Sequence, residues 1–498
     1  MPTLNWIGKA AVVNHHKDVP FRLLEQDETL SHTSDKDDPN DNLIVQGDNL
    51  HALKALLPKY AGKVKCIYID PPYNTGNEGW VYNDNVKAPE IQKWLGEVVG
   101  KEAEDLSRHD KWLCMMYPRL VLLKQFLSED GAIFVSIDDN EVSNLRLILD
   151  EVFGHLGFIA NVIWQKKYTI SNDSKYLAEN HDHVLIYSRD KTIWRPNRLK
   201  RTAEMNERYS NPDNHPKGLW KSTPLYAKRT GSEAEQEFEF IFKNGVRWSP
   251  PKGTSPRFPA AKLLQMDQND EIWFGAKGDA KPSRKTFLKE LKISNPPAPT
   301  IWLHQETGHN HEAKDELKSI TGSNEFSTPK PTRLIQRILQ IATDKDSIIL
   351  DSFAGSGTTG HAVLKLNAED GGKRKFILVE MEETIAENIT AERVRRVANG
   401  YKDAKDKQVA GLGGGFQYYR LSDEPLFDSD GKVREDIRFD ELAEFVWFSE
   451  TGSAWHGWDG KEKTATFNKD GSIKSYPRGP LLGVKDGHAF ILLYNGIL

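Results

Sequence analysis

The chain has 498 residues, 38% of them hydrophobic, two cysteines and a net charge of −5. That length allows two or three domains, each with its own core; two distant cysteines in apolar surroundings, Cys66 and Cys114, exclude a disulfide framework or a zinc cluster and fit a reducing cytoplasm. Nowhere do eighteen uncharged apolar residues follow one another, and the N-terminus lacks a charged start before an apolar run, so neither membrane insertion nor secretion is expected.

In chain order, residues 1–40 run into the polar cluster SHTSDKDDPNDN and read as an N-terminal arm. Residues 41–190 alternate strand and helix. NLIVQGD is a short strand ending in Gly47 and Asp48; Leu50, Leu53, Leu56 and Leu57 then recur at helical spacing, and KCIYID resumes a strand, completing a βαβ unit. HDKWLCMMYPRLVLLKQFLSEDG predicts a helix closed by Gly131. AIFVSID follows as a strand and DNEVSNLRLILDEVFG as a helix, with Asp138 and Asp139 as cap and neighbour. FIANVIWQKK and HDHVLIYSRD predict two strands forming an antiparallel edge hairpin on a parallel sheet.

Regular alternation stops over residues 191–327, which read as an inserted α+β domain. Counted from 191 to 330, 24 Lys and Arg stand against 17 Asp and Glu, a surplus of +7, which leaves −12 on the rest of the chain. Trp194, Trp220, Trp248, Trp273 and Trp302 are spread through this stretch. From 328 to 400 the α/β pattern returns as the second half of a doubly wound, Rossmann-like sheet. Residues 401–498, through GLGGGF, which reads as a linker or turn, end in the strand-like run AFILLYNGIL, so this C-terminal region is expected to be an incomplete domain.

Two motifs carry chemistry. ILDSFAGSGTTG sets Gly355, Gly357 and Gly360 at G-x-G-x-x-G spacing between a strand and a helix, and Glu380 ends the next strand. Such a loop serves NAD and S-adenosylmethionine (SAM) alike, since both need close backbone approach and an acid for ribose hydroxyls. The other motif, Asp70-Pro71-Pro72-Tyr73, follows a strand and so lies at the carboxyl edge of the sheet, where ligands bind. Prolyl peptides donate no hydrogen bond but keep their carbonyls, which makes this a rigid set of acceptors beside an aromatic ring. It suits a planar base with an amino group: the Asp70 carboxylate and the Pro71 carbonyl hold both amino hydrogens, and the carboxylate stabilises charge developing on nitrogen. Tyr73 would stack on the base, which would have to be flipped out of a duplex. No companion acid stands at metal-ligand spacing from Asp70, so no metal is expected.

These residues resemble the amino-methyltransferases of DNA, with DPPY as catalytic motif and DSFAGSG as SAM motif. Their order, with a basic insertion between, resembles the β group of adenine-N(6) methyltransferases. IDPPYNTG, FVSIDDNEVSNL and FSTPKPTRLIQRIL together are similar to the Mod subunit of Type III restriction-modification systems, over roughly residues 40–400. The resemblance implies a Rossmann-like SAM-dependent methyltransferase acting on double-stranded DNA. It places Asp351, Phe353, Ala354, Gly355, Gly357 and Glu380 around the SAM methionine and ribose, Asp48 near its adenine, and Thr328 and Lys330 beside it. It also implies a target-recognition role for the basic insertion, a homodimer and a Res helicase/nuclease partner. Asp48 equally reads as a helix cap, Lys330 as a solvated helix-start residue, and Lys166, Lys167 and Lys175 as phosphate contacts. A cytosine-N(4) methyltransferase, a DNA-recognition subunit with a non-catalytic SAM site, and a nicotinamide-dependent oxidoreductase are the competing readings.

Overall fold

The computed structural model describes residues 3–32, 42–75, 108–169, 174–230, 232, 235, 237–291, 295–323, 325–455, 466–467, 473–475 and 480–493. It divides into two compact units, Met1–Asn197 with Pro299–Leu498, and Arg198–Ala298.

Ten strands make the central sheet of the first unit: β1 (Arg22–His32), β2 (Asn42–Gln46), β3 (Val64–Ile69), β4 (Leu127–Ile137), β5 (Phe158–Gln165), β6 (His181–Ser188), β7 (Ile301–Trp302), β8 (Ile348–Asp351), β9 (Lys375–Glu380) and β10 (Phe416–Pro425). Their spatial order is β1-β10-β2-β9-β8-β3-β4-β6-β5-β7. Strands β10 through β4 run parallel, and β6 lies antiparallel to both β4 and β5. β3, VKCIYI, is buried except at Lys65, because a central parallel strand is covered on both faces and reads as an unbroken apolar run.

Helices α1 (Asn49–Tyr60), α2 (Arg108–Phe126), α3 (Val142–Phe153), α4 (Asn310–Thr321), α5 (Thr332–Ala342) and α6 (Thr358–Asp370) belong to the same unit, as does α7 (Glu392–Asn399), which continues a π-helical turn at Ala386–Ala391. Leu53, Leu56, Ile67, Trp112, Leu120, Phe126, Ile133 and Leu149 are fully buried in its core. Burying one large aliphatic side chain contributes about 1.5–3 kcal/mol, so this core holds the sheet edge still under whatever binds there. The topological switch point falls between β3 and β8: from β8 the chain winds through α6 to β9, and from β3 it winds the opposite way through α2 to β4. Both motifs therefore emerge at the ends of neighbouring strands.

Several expectations need correction. Residues 22–32 of the expected arm are not separate from the sheet, since they form β1, which pairs antiparallel with β10 and ends the sheet. GLGGGF does not lead out of the fold, because β10 returns parallel to β2. Gly131 does not close a helix: α2 stops at Phe126, and Gly131 lies inside β4, where a Cβ would stand 2.9 Å from the Val64 carbonyl oxygen. The antiparallel pair β5–β6 forms as expected but is not the edge, because the two-residue β7 pairs outside β5. So short a strand has no periodicity to read.

The second unit has an antiparallel three-stranded sheet in the order Ile272–Trp273, Ser283–Phe287, Trp220–Pro224. A helix, Ala260–Gln268, supplies Leu263 and Met266 to a core with Leu225, Phe242, Trp248 and Ile272. It is narrower than the expected insertion, 191–327, and Trp194 and Trp302 belong instead to the first unit, where both are buried.

Candidate active site

Asp70 begins where β3 ends, and its carboxylate is divided between two tasks. Oδ2 accepts from the Lys330 ammonium at 2.5 Å, whereas Oδ1 is buried and has no partner among the described residues. A buried carboxylate oxygen without a donor is costly, so its position asks for a ligand hydrogen. The two prolines also differ. The Trp112 indole N–H, on a fully buried ring, donates to the Pro72 carbonyl at 2.7 Å, while no described residue donates to the Pro71 carbonyl. The rigid turn thus has one carbonyl tied to the core and one left for a ligand.

Lys330 is not the solvated residue that its place before a helix suggested. Its side chain is 10% exposed, and its ammonium sits 4.9 Å from the Tyr73 ring centroid. A base stacking on Tyr73 must use the other ring face or displace Lys330. The Tyr73 hydroxyl lies 3.4 Å from Asp182 Oδ2, and Asp182 Oδ1 pairs with Lys166 at 2.6 Å, which also holds Glu179. Burial, Asp182 and Asp70 together push the Tyr73 phenol well up, so it stays protonated. Lys166 is therefore committed within the site and is no phosphate contact; Lys167 and Lys175 are exposed.

After the turn, Asn74 adopts a left-handed conformation, φ 60°. Its amide donates to the fully buried Glu141, which also lies 2.6 Å from His109 Nδ1. Asp138 makes a local turn with the Asn140 N–H at 2.9 Å, and the cap position of α3 is Glu141.

The glycine loop follows β8. Gly355 and Gly357 have φ of 50° and 71°, which only glycine adopts without strain, and Gly357 is the N-cap of α6. A Cβ on Gly355 would meet Phe326 Cζ at 2.8 Å, and one on Gly357 would meet the Thr390 carbonyl oxygen at 3.0 Å. Gly360 packs α6 against Val394 of α7. The Glu380 carboxylate accepts from the Gly355 N–H at 2.7 Å and the Glu382 N–H at 3.1 Å, and burial raises it above the usual range. Asp351 is wholly buried; it accepts from the Phe353 N–H at 3.1 Å and the Thr359 hydroxyl at 2.5 Å. Burial pushes Asp351 up to about 7. It thus holds the loop from beneath. Phe353 and Ala354 are buried in the loop, and Thr328 is exposed on the segment that passes over it. Asp48 caps α1 through Leu50 N–H at 2.8 Å and pairs with Arg119 at 3.1 Å.

Sequence reasoning missed three contributors. Phe326 covers Gly355. Arg393, fully buried in α7, donates to Thr358 at 2.8 Å and Glu316 at 3.1 Å, bracing the start of α6. Thr390, from the π-helical turn, donates to the Gly355 carbonyl at 2.5 Å. All three come from distant segments; only the run FSTPKP, which contains Phe326, carried any signal.

An open, mostly parallel sheet with a glycine loop and an acceptor motif on adjacent strand ends defines a Rossmann-like α/β protein with its ligand site at the topological switch point. The family model described as DNA methylase, N6_N4_Mtase, matches residues 64–392, and the chain belongs to that family. It is 35% identical over 410 residues to the Type III restriction-modification enzyme StyLTI Mod subunit of Salmonella typhimurium, covering 76% of this chain and 60% of that protein. Similar matches are the EcoPI Mod subunit of Escherichia phage P1, 33% identical over 77% of this chain and 64% of that one, and the EcoP15I Mod subunit of Escherichia coli, 32% identical over 76% and 64%. The chain thus spans somewhat under two thirds of the length of these relatives.

Proposed function

We propose that this chain transfers a methyl group from SAM to the N(6) amino group of a flipped-out adenine in double-stranded DNA, as the modification and specificity subunit of a Type III restriction-modification system. The observation that carries the reading is the buried, unpartnered Asp70 Oδ1, aimed from the end of β3 beside the glycine loop. Asp70 Oδ1 and the Pro71 carbonyl accept the two amino hydrogens, which turns the nitrogen lone pair away from both acceptors. Lys330 holds the other carboxylate oxygen, and so the rotamer, while Pro72 and Trp112 fix the turn. As positive charge grows on nitrogen, the carboxylate stabilises it.

The crevice fits SAM better than a dinucleotide. Asp351, Glu380 and Asp70 surround the glycine loop, and the Ser352 hydroxyl there is buried without a partner among the described residues. Carboxylates at this place attract a sulfonium and an ammonium and repel a pyrophosphate. SAM bound there supplies an electrophilic methyl. Gly355 and Gly357 would allow close approach, Glu380 would hold the ribose, and Asp351, Phe353, Ala354, Thr328 and Asp48 would line the SAM site. Lys330 acts on Asp70 rather than on the cofactor.

The second unit reads the DNA site. It carries 19 Lys and Arg against 12 Asp and Glu, a surplus of seven positive charges suited to a phosphate backbone. Among the described residues no helix is long and apolar enough to cross a membrane, and the two buried free thiols suit a reducing cytoplasm. A homodimer and a Res helicase/nuclease partner are part of this proposal, supported by the resemblance to Mod subunits.

The test is incubation of the purified chain with methyl-labelled SAM and unmethylated DNA, followed by nucleoside analysis. Label in N(6)-methyladenine at one recurring sequence supports the reading. Label in N(4)-methylcytosine would replace it with the alternative the same geometry serves, and SAM binding without transfer would leave a recognition subunit.

A further inference from the structure

Away from the catalytic acceptors, Asp139, His181 and His183 bring one ligand atom each to within 4.8 Å of one another. His181 and His183 stand two residues apart on β6 and therefore share one face of the sheet, while Asp182 between them turns to the opposite face and toward Tyr73. Asp139 approaches from the loop after β4. Its Oδ1 lies 2.9 Å from His183 Nε2 and its Oδ2 4.0 Å from His181 Nε2. Donors about 2.0 Å from a tetrahedral ion are roughly 3.3 Å apart, a spacing that small side-chain movements reach from three ligand atoms lying within 4.8 Å of one another.

The contacts of His183 suit a ligand role. Its Nδ1 is 3.1 Å from Asn161 Oδ1, on the neighbouring strand β5, and its Nε2 faces the Asp139 carboxylate. A cation bound at Nε2 and the carboxylate would leave Nδ1–H to donate to Asn161 Oδ1. That is the outer-shell hydrogen bond by which metal-binding histidines are oriented. The Asp139 side chain is 61% exposed, which gives an ion an entry path and an open position for water.

We infer that Asp139, His181 and His183 form a site for a late first-row divalent cation of the Zn2+ type. Two imidazoles and one carboxylate select such ions over Mg2+ or Ca2+, which take all-oxygen shells. The ion would tie the loop after β4 to the start of β6. That same loop carries Glu141, which holds Asn74 in its left-handed conformation, so the site stiffens the frame of the catalytic turn without touching substrate. The sequence does not show it, because Asp139 and His181 stand 42 positions apart.

The experiment is titration of the chelator-treated full chain with Co2+, followed by visible spectroscopy, and with Zn2+, followed by calorimetry and melting. One equivalent should bind, with the intense d–d absorption of a low-coordinate Co2+ site, and Zn2+ should raise the melting temperature. Asp139→Asn and His181→Gln should each weaken binding about tenfold or more, and Asn161→Ala about ten- to a hundredfold. His309→Ala, whose ring lies against those of His304 and His311 away from this site, should change nothing. Circular dichroism checks that each variant folds; His181→Gln is the decisive one if changes at the more buried His183 perturb folding. Absence of stoichiometric binding to the parent chain, or binding unaffected by both Asp139→Asn and His181→Gln, would overturn the site. Because the readout is metal binding, its failure is distinct from failure of methyl transfer.

Discussion

At the residue scale, the site is a set of carboxylates with unequal partners. Asp70→Asn keeps shape but removes the charge that stabilises the developing ammonium. Turnover in a single-turnover methylation assay is expected to fall about a hundredfold or more, with SAM affinity within a few-fold of the parent; unchanged turnover would remove Asp70 from the mechanism. Lys330→Met removes the cation that holds Asp70 Oδ2 and so frees the carboxylate rotamer, and turnover in the same single-turnover assay should fall about tenfold or more. SAM affinity within a few-fold of the parent would separate this loss from a general structural one, and an unchanged rate would show that Lys330 does not position Asp70. Asp351 is a stability case. Its folded value of about 7 stands above the unfolded value, so the folded chain holds more protons between about pH 4 and 7, and stability falls as pH rises through that window. Asp351→Asn mimics the neutral form. Its melting temperature relative to the parent should become more favourable from pH 5 to pH 8; a constant difference would show that Asp351 does not titrate there.

At the scale of elements, the glycine loop depends on parts that meet only in the fold. Gly357→Ala would hold a non-glycine residue at φ 71° against the Thr390 carbonyl, straining the turn by about 1–3 kcal/mol. Calorimetry should show SAM affinity lowered about tenfold or more with the circular dichroism spectrum retained. The strand-loop-helix pattern around Gly355 was legible in the residues, because glycine spacing and apolar runs are local. The bracing by Arg393 from α7 and the π-helical turn that delivers Thr390 were not, since nothing in AENITAERVRR announces either. Asp48 shows the same limit: the cap and the cofactor reading share one signature, and the fold displays the cap together with an ion pair to Arg119 that the sequence did not suggest.

At the scale of the whole molecule, two compact units divide the labour proposed here. Replacing Arg198–Ala298 by a flexible linker should leave SAM binding intact and abolish site-specific DNA binding, measured by competition between methylatable and scrambled duplexes. Persisting specificity would move the reading role into the first unit. The unit's positive surplus also predicts that DNA affinity falls steeply with added salt. β1 and β10 bring the chain's first and last hundred residues together along one sheet edge, so removal of residues 1–32 should expose β10 and lower the melting temperature.

The sequence by itself determined the sheet class, the acceptor motif and the glycine loop, since strand and helix periodicities, proline geometry and glycine spacing are written in neighbouring residues. Only the tertiary structure decided what each charged group does. Lys330 reaches Asp70 across 260 positions, Lys166 turns inward to Asp182, and Asp139 meets two histidines from another strand. The reason is physical: periodicity reports which face of an element is buried, whereas an ion pair or a ligand set depends on distances between elements, and those exist only once the sheet has closed its register.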